Sequence, residues 1–324
     1  MEASLLVIPL VLLLLSITAN GDRLKVGYYR QTCPQAEEII NDTVTKAFKE
    51  NPCVPAALIR LHFHECFVRG CDGSILLDST ADNTAEKDAH VNNLNPKGYE
   101  IIDEVKSKLE AKCAGVVSCA DLLAYAARDG AYLAGGLFWA VQAGRRDGRI
   151  SLASEPPLNI PSHSYDVNKL TQVFASKHLS QEDMVTLSGA HSIGASHCAG
   201  FSGDRLYNFN GSAGQDPSMN CNYALHLKAK CPPSASPDVL VPFDPVTPTK
   251  LDVNYYINLQ YNLGLLKSDQ ELISDDATSR EVKINAKYPT IWRKKFGRAM
   301  VKMGANDVLT GSQGEIRKHC RYVN

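Results

Sequence analysis

Helical periodicity is the feature that most constrains the fold of this chain. In residues 33–51, apolar side chains recur at helical spacing behind Pro34, a residue that suits a first helical position. The stripe consists of Ile39, Ile40, Val44, Ala47 and Phe48. Alternating strand patterns are scarce along the rest of the chain. The sequence therefore predicts a mostly helical body.

Capping signals predict where further helices begin. Ser118 with Asp121 and Ser180 with Asp183 each give a capping-box-like start, and the Gly-Gly pair at 135–136 ends the first of these helices. Apolar spacing marks two more helices, at Val167, Leu170, Val173 and Phe174 and at Phe296, Met300 and Met303. The stretches 78–99, 147–165 and 232–254, rich in Pro, Asn, Ser and Asp, are predicted to be long ordered loops. This pattern leaves room for a buried ligand inside one body.

The N-terminus indicates secretion. Leu5 to Leu15 form an apolar run that suits a signal peptide and is too short for a membrane span, although Glu2 stands where a basic residue is usual. The alternative, a buried core helix, has nothing N-terminal to pack against. Cleavage of residues 1–20 leaves 34 basic and 34 acidic residues. We therefore expect no membrane attachment after cleavage, and a charge near zero gives no reason to expect nucleic-acid binding.

Ten cysteines in a secreted chain predict disulfides. Cys66 and Cys71 are close enough for a small loop, but ten cysteines allow roughly 945 pairings, and spacing alone does not choose among them. Two sequons, at Asn41 and Asn210, are candidate glycosylation sites.

Three short segments carry groups that could do chemistry. In RLHFHECF, Arg60 and His64 are four residues apart and share one helix face. The HFHEC run lacks the HExxH spacing of zinc proteases. The second segment, residues 65–74, spaces acids and hydroxyls around the Cys66–Cys71 loop, and the third ends an apolar helix at His191. A single histidine on such a helix is more often a core residue than a ligand, so each segment alone is weak.

Together these segments resemble the class III (secretory plant) haem peroxidases. The matching blocks, in order, are RLHFHECFVRGCDGSILLD, VSCADLLAYAARD, AGRRDGR, MVTLSGAHSIG, RLYNF, FDPVTPTKLDVNYY and GLLKSDQEL. The resemblance implies an all-α fold with minor β content and one domain over residues 21–324, in which haem b lies between two helical lobes. The proximal lobe would span roughly residues 162–290, and the distal lobe would combine N-terminal residues with the C-terminal helix. It also implies two-electron reduction of hydrogen peroxide coupled to one-electron oxidation of phenolic or other aromatic donors.

The resemblance assigns the haem-side residues. His191 would bind the iron, Asp269 would accept a hydrogen bond from its other ring nitrogen, and Phe243 would pack beside the ring. His64 would be the proton acceptor for peroxide, helped by Arg60. Further roles fall to Asn92, which would orient His64, and to Phe63, which would border the peroxide site; Phe67 is expected in the core.

The resemblance also implies two calcium ions. The distal ion would use Glu65, Val68, Gly70, Asp72 and Ser74, with Glu86 close by. The proximal ion would use Ser192, Asp244, Thr247, Lys250 and Asp252. Oxygen donors of this kind suit Ca²⁺, whereas a solvated acidic turn is the alternative interpretation without the family match. Glu65 departs from the aspartate that is usual in the family, so its longer side chain could weaken the distal site.

Four disulfides follow from the resemblance: Cys33–Cys113, Cys66–Cys71, Cys119–Cys320 and Cys198–Cys231. Because Cys53 and Cys221 lie outside that pattern, we predict that they form a fifth bridge. Packing as two unpaired cysteines is the alternative.

The donor site is the part in which the chain differs most from well-known members. Pro161 matches the donor-site proline, whereas His90 and Ser164 replace aromatic residues, and the role of Phe201 stays open. Only four residues follow Cys320, without the C-terminal extension that vacuolar members carry, so we expect the apoplast or cell wall as the destination. We also expect a monomer. An inert haem-binding protein or a wall-binding module are the rival interpretations. The presence of the complete set of haem-side residues argues against both.

Overall fold

The computed structural model describes residues 24–324, so the predicted signal peptide lies outside the described residues. Twelve α-helices are described, joined by short 3₁₀ turns and loops: α1 Ala36–Glu50, α2 Val54–Val68, α3 Pro96–Lys112, α4 Cys119–Gly135, α5 Pro156–Asn159, α6 Val167–Ser176, α7 Gln181–Ser188, α8 Cys221–Lys230, α9 Asn254–Gln260, α10 Lys267–Gln270, α11 Asp276–Lys287 and α12 Pro289–Met303. Two small antiparallel sheets pair β1 (Lys25–Val26) with β2 (Gln142–Ala143), and β3 (Ala195–His197) with β4 (Leu240–Pro242). The predicted helical architecture with minor β content is confirmed.

The predicted helix starts at residues 118 and 180 are confirmed. Ser118 Oγ accepts from the amide of Asp121 at 3.1 Å at the start of α4, which ends before Gly136 in a left-handed conformation (φ +69°). At the start of α7, Ser180 and Asp183 form a full capping box. The carboxylate of Asp121 instead accepts from Arg145, so only half of the predicted capping box forms at α4.

Two local predictions differ from the structure. Helix α1 begins at Ala36 rather than at Pro34, because a turn in which the Ala36 amide donates to the Cys33 carbonyl (3.0 Å) comes first. The predicted ordered loops also contain regular secondary structure that the sequence did not predict. The first holds 3₁₀ turns at Glu86–Asp88 and His90–Asn92 before α3 begins at Pro96. The second includes α5 and the third includes β4.

The core consists of two hydrophobic clusters. The larger one buries the apolar faces of α1, α2, α4, α7 and α12, among them Phe67 with no exposed surface. Phe67 is therefore a core residue, as predicted. The smaller cluster surrounds Cys198–Cys231 and includes Phe201, which is 1% exposed. Phe201 therefore packs in the interior and presents no surface to a donor.

Disulfides and one buried acid connect distant parts of the chain. The four bridges expected from the resemblance are present, and they close sequence separations of 80, 5, 201 and 33 residues. Asp147 accepts from the amides of Cys119 (3.1 Å) and Ala120 (2.9 Å) at the start of α4, and from that of Arg317 (3.0 Å). This carboxylate therefore holds the C-terminal segment to the same helix end that the Cys119–Cys320 bridge joins.

The predicted fifth disulfide is wrong. Cys53 and Cys221 are both free and exposed. Cys53 is the N-cap residue of α2, a helix of the larger cluster, whereas Cys221 is the first residue of α8, which packs in the smaller cluster. Elimination paired them because they were the only two cysteines left, but disulfide formation depends on the positions of the two Cβ atoms. Among residues 24–324, no helix is long and apolar enough to cross a membrane.

Candidate active site

Helix α2 positions the first group of candidate residues. Pro55 lies in its first turn, and most of its side chains are buried. Arg60 is exposed, and its Nη1 donates to the carbonyl of Asn93 at 3.1 Å. His64 lies one turn further along and is only 3% exposed. The helix therefore presents a fixed cation and a buried imidazole on one face, as the four-residue spacing predicts.

Asn92 fixes the tautomer of His64. Its amide Nδ2 donates to the carbonyl of Glu86 at 2.7 Å, so the oxygen Oδ1 is the atom that faces His64 Nδ1, at 2.6 Å. An amide oxygen can only accept, so Nδ1 carries the hydrogen and Nε2 keeps a lone pair. Burial, and then the positive charge of Arg60, lower the pKa of His64 to about 3. The imidazole is therefore neutral at physiological pH and can accept a proton at Nε2.

Of the residues of α2 next to His64, Phe63 lies beside the candidate site and His62 lies in the core. The Phe63 ring meets the His64 ring edge-on at 5.5 Å between centroids and is partly buried. His62 points into the interior, toward the disulfide sulfur of Cys66. Burial, and then Arg145, lower the pKa of His62 to about 3. His62 is thus a core histidine, which agrees with the absence of a zinc-protease pattern.

The second histidine lies just after α7, in the 3₁₀ turn Gly189–Ser192. His191 Nδ1 donates to Asp269 Oδ1 at 2.8 Å, because a carboxylate oxygen can only accept. The Phe243 ring stacks on the imidazole, with centroids 4.5 Å apart and planes 18° apart. The His191 side chain remains 37% exposed. Its Nε2 makes no hydrogen bond with any described residue, so a lone pair is available for a ligand.

Tyr255 belongs to the same hydrogen-bond network as His191 and Asp269, and the sequence did not predict it. Its hydroxyl donates to the same Asp269 oxygen at 2.9 Å and is buried. Two donors on one buried carboxylate oxygen fix the position of that carboxylate, and through it the ring of His191. The signal was present in the doubled tyrosine of DVNYY, but it carried no spacing that distinguishes a site residue from a core residue.

One close contact joins the two histidine-bearing segments. A methyl group placed on Gly194, three residues after His191, would lie 3.3 Å from the Cβ of Ala56 in the first turn of α2 and 3.7 Å from the Phe243 ring. The helix that carries Arg60 and His64 therefore begins against the segment that follows His191. The fold thus brings together residues that are more than a hundred positions apart in the chain.

Three acids and a hydroxyl gather around the Cys66–Cys71 loop. Glu65, Asp72, Ser74 and Glu86 are buried. Both carboxylate oxygens of Glu86 and the hydroxyl of Ser74 lack a hydrogen-bond partner. Burial raises the pKa of Glu86 to about 8, that of Asp72 above its ordinary value, and that of Glu65 well above it; the charges of Asp72 and Glu86 contribute to the shift at Glu65. Unpaired buried oxygens of this kind are costly unless a cation or a proton neutralises them.

Some of the predicted distal calcium ligands already accept hydrogen bonds from the protein, and others do not. Glu65 accepts from the amides of Gly73 and Ile75, the latter at 3.1 Å. The Val68 carbonyl accepts from Lys177 Nζ at 3.4 Å, and the Gly70 carbonyl accepts from the amide of Asp72. The longer side chain at position 65 therefore binds the backbone of the following loop, while Ser74 and Glu86 keep free oxygens.

The predicted proximal calcium residues also lie together. Thr247 Oγ1 lies 3.0 Å from Asp244 Oδ2 and 3.3 Å from Asp252 Oδ1, and a single hydroxyl hydrogen can satisfy only one of them. Ser192 Oγ accepts from the amide of Asp252 at 3.1 Å. Burial raises the pKa of Asp252. Lys250 is exposed, and its amide donates to the Thr247 carbonyl. In residues 24–324, no group of three or more His, Cys, Asp or Glu side chains forms a metal-binding cluster by itself.

The remaining candidate residues lie at the surface or near it. Pro161 is partly exposed, in a loop whose His163 carbonyl accepts from the Ser268 amide (2.9 Å), next to Asp269. His90 is exposed. Asn41 is half-buried within α1, and its sequon threonine, Thr43, is buried, whereas Asn210 is exposed in a turn with φ +51°.

Comparison with known proteins agrees with this geometry. The family model described as Peroxidase matches residues 40–287. The chain is 52% identical to Peroxidase 5 of Vitis vinifera over 316 residues, which cover 97% of this chain and 95% of the relative. It is 45% identical to Peroxidase 1 of Arabidopsis thaliana (93% and 92% covered) and 42% identical to Peroxidase 1 of Oryza sativa subsp. japonica, with both chains fully covered. The chain therefore belongs to the class III plant haem peroxidases, enzymes that reduce hydrogen peroxide and oxidise aromatic donors.

Proposed function

We propose that Arg60, His64 and Asn92 activate hydrogen peroxide and that His191 and Asp269 hold the haem iron. The observation that carries this proposal is that hydrogen bonds hold both histidines in the same tautomer. Each Nδ1–H is bound by a fixed oxygen, Asn92 Oδ1 at 2.6 Å in one case and Asp269 Oδ1 at 2.8 Å in the other. Each Nε2 is therefore left with a lone pair, one for a proton and one for a metal.

The residues around His191 fit a haem group. The imidazole is partly exposed although its partner Asp269 is buried, and Phe243 covers one of its faces. The carboxylate makes the imidazole more electron-rich, which favours an oxidised iron. When bound, the haem supplies the redox capacity that stores two oxidising equivalents from peroxide and returns them singly.

The residues around His64 transfer a proton of hydrogen peroxide from one oxygen to the other. His64 Nε2 takes a proton from one peroxide oxygen and delivers it to the other, which then leaves as water. Arg60 stabilises the negative charge that develops on the departing oxygen, because its cation is already in place before the bond breaks. Asn92 keeps Nε2 free of hydrogen at the start of each cycle. A positioned acid–base group of this kind contributes about 10²–10⁴ in rate.

Calcium is proposed at both oxygen-rich sites. Around the Cys66–Cys71 loop, the unpartnered oxygens of Ser74 and Glu86, together with Asp72, offer a cation hard ligands that the protein does not otherwise use. At the second site, Asp244, Thr247 and Asp252 hold two carboxylates near one hydroxyl. An ion at either site would neutralise buried acids and fix the segments that carry His64 and His191.

The disulfides and the surface residues support a proposal for the location, donors and glycosylation of the enzyme. We propose that the enzyme is secreted to the apoplast or cell wall, since four disulfides require an oxidising compartment during folding, and that it acts there as a monomer. Small aromatic donors would approach at the Pro161 loop, which contacts the helix of Asp269. Asn210, exposed in a turn, is the better placed of the two glycan acceptors.

Haem reconstitution followed by a guaiacol assay tests this assignment. We expect a Soret band and rapid peroxide-dependent guaiacol oxidation. His64→Ala should keep the Soret band and lose the oxidation, whereas His191→Ala should lose haem. His226→Ala is the matched control, because this exposed histidine lies on α8 outside the site. Full oxidation by His64→Ala, or firm haem retention by His191→Ala, would contradict the assigned roles.

A further inference from the structure

A continuous row of aromatic side chains leads away from His191. The His191 ring meets Tyr255 at 6.3 Å between centroids, and Tyr255 meets Tyr256 at 5.0 Å. The row continues through Trp292, Phe296 and Trp139, with successive centroid separations of 5.9, 5.5 and 6.2 Å. All of these separations lie in the range of direct aromatic contact. The row therefore crosses the core without a break.

Both tryptophans of the chain lie on this row. Trp292 is fully buried, and its Nε1 donates to the Thr186 carbonyl at 3.2 Å. Trp139 is 8% exposed and marks the outer end. Tryptophan and tyrosine are the side chains that a strong oxidant can oxidise by one electron, whereas phenylalanine can only bridge two such groups. Phe296 is the bridge between the two tryptophans.

Each tryptophan packs closely against a glycine, at a place where a larger side chain would be in steric conflict. A methyl group on Gly189, two residues before His191, would lie 2.9 Å from Trp292 Nε1 and 2.6 Å from the Tyr256 hydroxyl. A methyl group on Gly297 would lie 3.2 Å from the Cβ of Trp139. Trp292 is therefore in direct contact with the turn that carries His191, and Trp139 is in direct contact with α12.

Hydrogen bonding distinguishes the tryptophans from Tyr256, the tyrosine that contacts Trp292. Tyr255 differs from Tyr256, because its hydroxyl donates to the Asp269 carboxylate at 2.9 Å. A tyrosine loses its phenolic proton when it is oxidised. The Tyr256 hydroxyl lies 2.8 Å from the Val185 carbonyl and 2.9 Å from the Thr186 carbonyl, and neither carbonyl can take a proton. Burial also raises the pKa of Tyr256 above its ordinary value. An indole can be oxidised to a radical cation that keeps its proton. Beyond Tyr255, the tryptophans are therefore the residues of the row that can hold the oxidising equivalent as a radical cation.

An exposed aromatic surface begins at the residue that precedes Trp139 in the chain. Phe138, next to Trp139 in the chain, is 63% exposed, and Tyr132 is 51% exposed. Their rings meet edge-on at 6.1 Å, and the Arg128 guanidinium lies 4.9 Å from the Phe138 ring. Large exposed aromatic side chains in contact mark a place where another molecule can bind. The aromatic ring of a donor can stack on these exposed rings, whereas Arg128, which is 4% exposed and paired with Asp129, supports the Phe138 ring from inside.

We propose that Trp292 and Trp139 carry single oxidising equivalents from the haem beside His191 to the surface at Phe138 and Tyr132, where a phenolic polymer too large for the haem edge is oxidised. This proposal rests on His191 being the iron ligand. It adds a second donor site to the enzyme, separate from the Pro161 loop.

Atoms and electrons balance along this route. An electron passes from Trp139 through Trp292 to the oxidised haem, and a phenol at the surface returns an electron to the Trp139 radical cation. That phenol releases its proton to water and becomes a phenoxyl radical. The electron and a proton from water are consumed at the peroxide site. Two phenols and one hydrogen peroxide thus give two phenoxyl radicals and two water molecules.

Radical spectroscopy tests the route by a readout other than turnover. The reconstituted enzyme is mixed with hydrogen peroxide without a donor, frozen rapidly, and examined by electron paramagnetic resonance. We expect an organic radical whose hyperfine structure changes when the protein carries ring-deuterated tryptophan, and expect Trp292→Phe to remove the Trp139 contribution. A radical that is unaffected by tryptophan deuteration overturns the proposal.

Donor size supplies the second readout. Guaiacol is compared with a phenol grafted to a large dextran, and the ratio of the two kcat/KM values is measured. We expect Trp139→Phe to lower the dextran-to-guaiacol ratio by roughly tenfold or more, and expect Tyr261→Phe, an exposed tyrosine off the row, to leave it unchanged. An unchanged ratio in Trp139→Phe overturns the proposal, even if a tryptophan radical forms.

The variants are chosen so that failure to fold does not hide the answer. In Trp292→Phe, the Tyr256 hydroxyl still lies within hydrogen-bond distance of the Thr186 carbonyl that Trp292 Nε1 leaves, at 2.9 Å. Trp139 makes no hydrogen bond with other residues of the 24–324 region, so Trp139→Phe at the outer end loses no hydrogen bond and decides the matter if Trp292→Phe is unstable. Guaiacol oxidation without a tryptophan radical refutes only the relay. Absence of both haem binding and guaiacol oxidation refutes the proposed function as well.

Discussion

Replacing Asn92 with alanine removes the amide oxygen that accepts the Nδ1–H of His64 at 2.6 Å. His64 is 3% exposed, so water cannot readily take the place of this oxygen. A buried donor left without a partner costs about 1–3 kcal/mol. The imidazole can escape that cost by turning or by moving its hydrogen to Nε2, and either change removes the base that peroxide needs.

The free-energy cost of leaving the His64 Nδ1–H unpaired also sets the expected loss in the rate of the peroxide reaction. If 1–3 kcal/mol no longer favours the productive tautomer, the rate constant with peroxide falls by roughly fivefold to 150-fold. The assay is stopped-flow mixing of the haem-loaded protein with hydrogen peroxide, followed by the change in the Soret band. Equal Soret absorbance before mixing shows that the haem is retained in the variant.

Asn92→Asp is the matched control for this experiment. An aspartate keeps an oxygen acceptor for Nδ1–H but adds a negative charge, which favours the imidazolium and raises the pKa of His64 from its value of about 3. The base must be neutral, so the reaction is complete above this pKa and is lost as pH falls through it. We therefore expect Asn92→Asp to react at neutral pH and to fail at a higher pH than the unaltered protein. Rates for Asn92→Ala within twofold of the unaltered protein would refute the positioning role.

Further predictions concern Arg60, the metal sites and the thiols. Arg60→Leu removes a charge that disfavours the imidazolium, so the acid limit of the peroxide reaction should move to higher pH; an unmoved limit in the pH–rate profile contradicts this. Chelation should lower the melting temperature measured by calorimetry, because calcium bound only to the native state stabilises it; no shift and no calcium by elemental analysis contradict the metal sites. Ser74→Ala should reduce that shift with little effect on the chelated protein, since Ser74 Oγ makes no hydrogen bond; an undiminished shift argues against Ser74 as a ligand. A thiol titration of the denatured protein should find two thiols per chain, from Cys53 and Cys221, and finding none would restore the fifth bridge.

Local features of the fold were predictable because their physics is local. The Ser180–Asp183 capping box and the Ser118 cap depend on residues three positions apart, and both form as the sequence indicates. The burial of Phe67 follows from its position on an apolar helix. The start of α1 was misplaced because a proline suits a helix start and a preceding turn equally well.

Some features that depend on contacts between distant parts of the chain could not be predicted from the sequence. The pairing of Cys53 with Cys221 was inferred by elimination, but only tertiary structure determines whether two cysteines meet. The Tyr255 bond to Asp269 gave no sequence signal, because a buried tyrosine and a site tyrosine look alike. Glu65 was recognised as unusual, but its bonds to the amides of Gly73 and Ile75 depend on the path of the loop.

The proposed proton-accepting role of His64 is tested most directly by one rate constant. The haem-loaded protein and its His64→Ala variant are each mixed with one equivalent of hydrogen peroxide in the absence of a donor, and the change in the Soret band is followed. Because alanine removes the lone pair at Nε2 while leaving His191 and Asp269 in place, we expect the variant to keep its haem and to react slower by about 10³ or more. A His64→Ala rate within tenfold of the unaltered protein would contradict the assignment of His64 as the base.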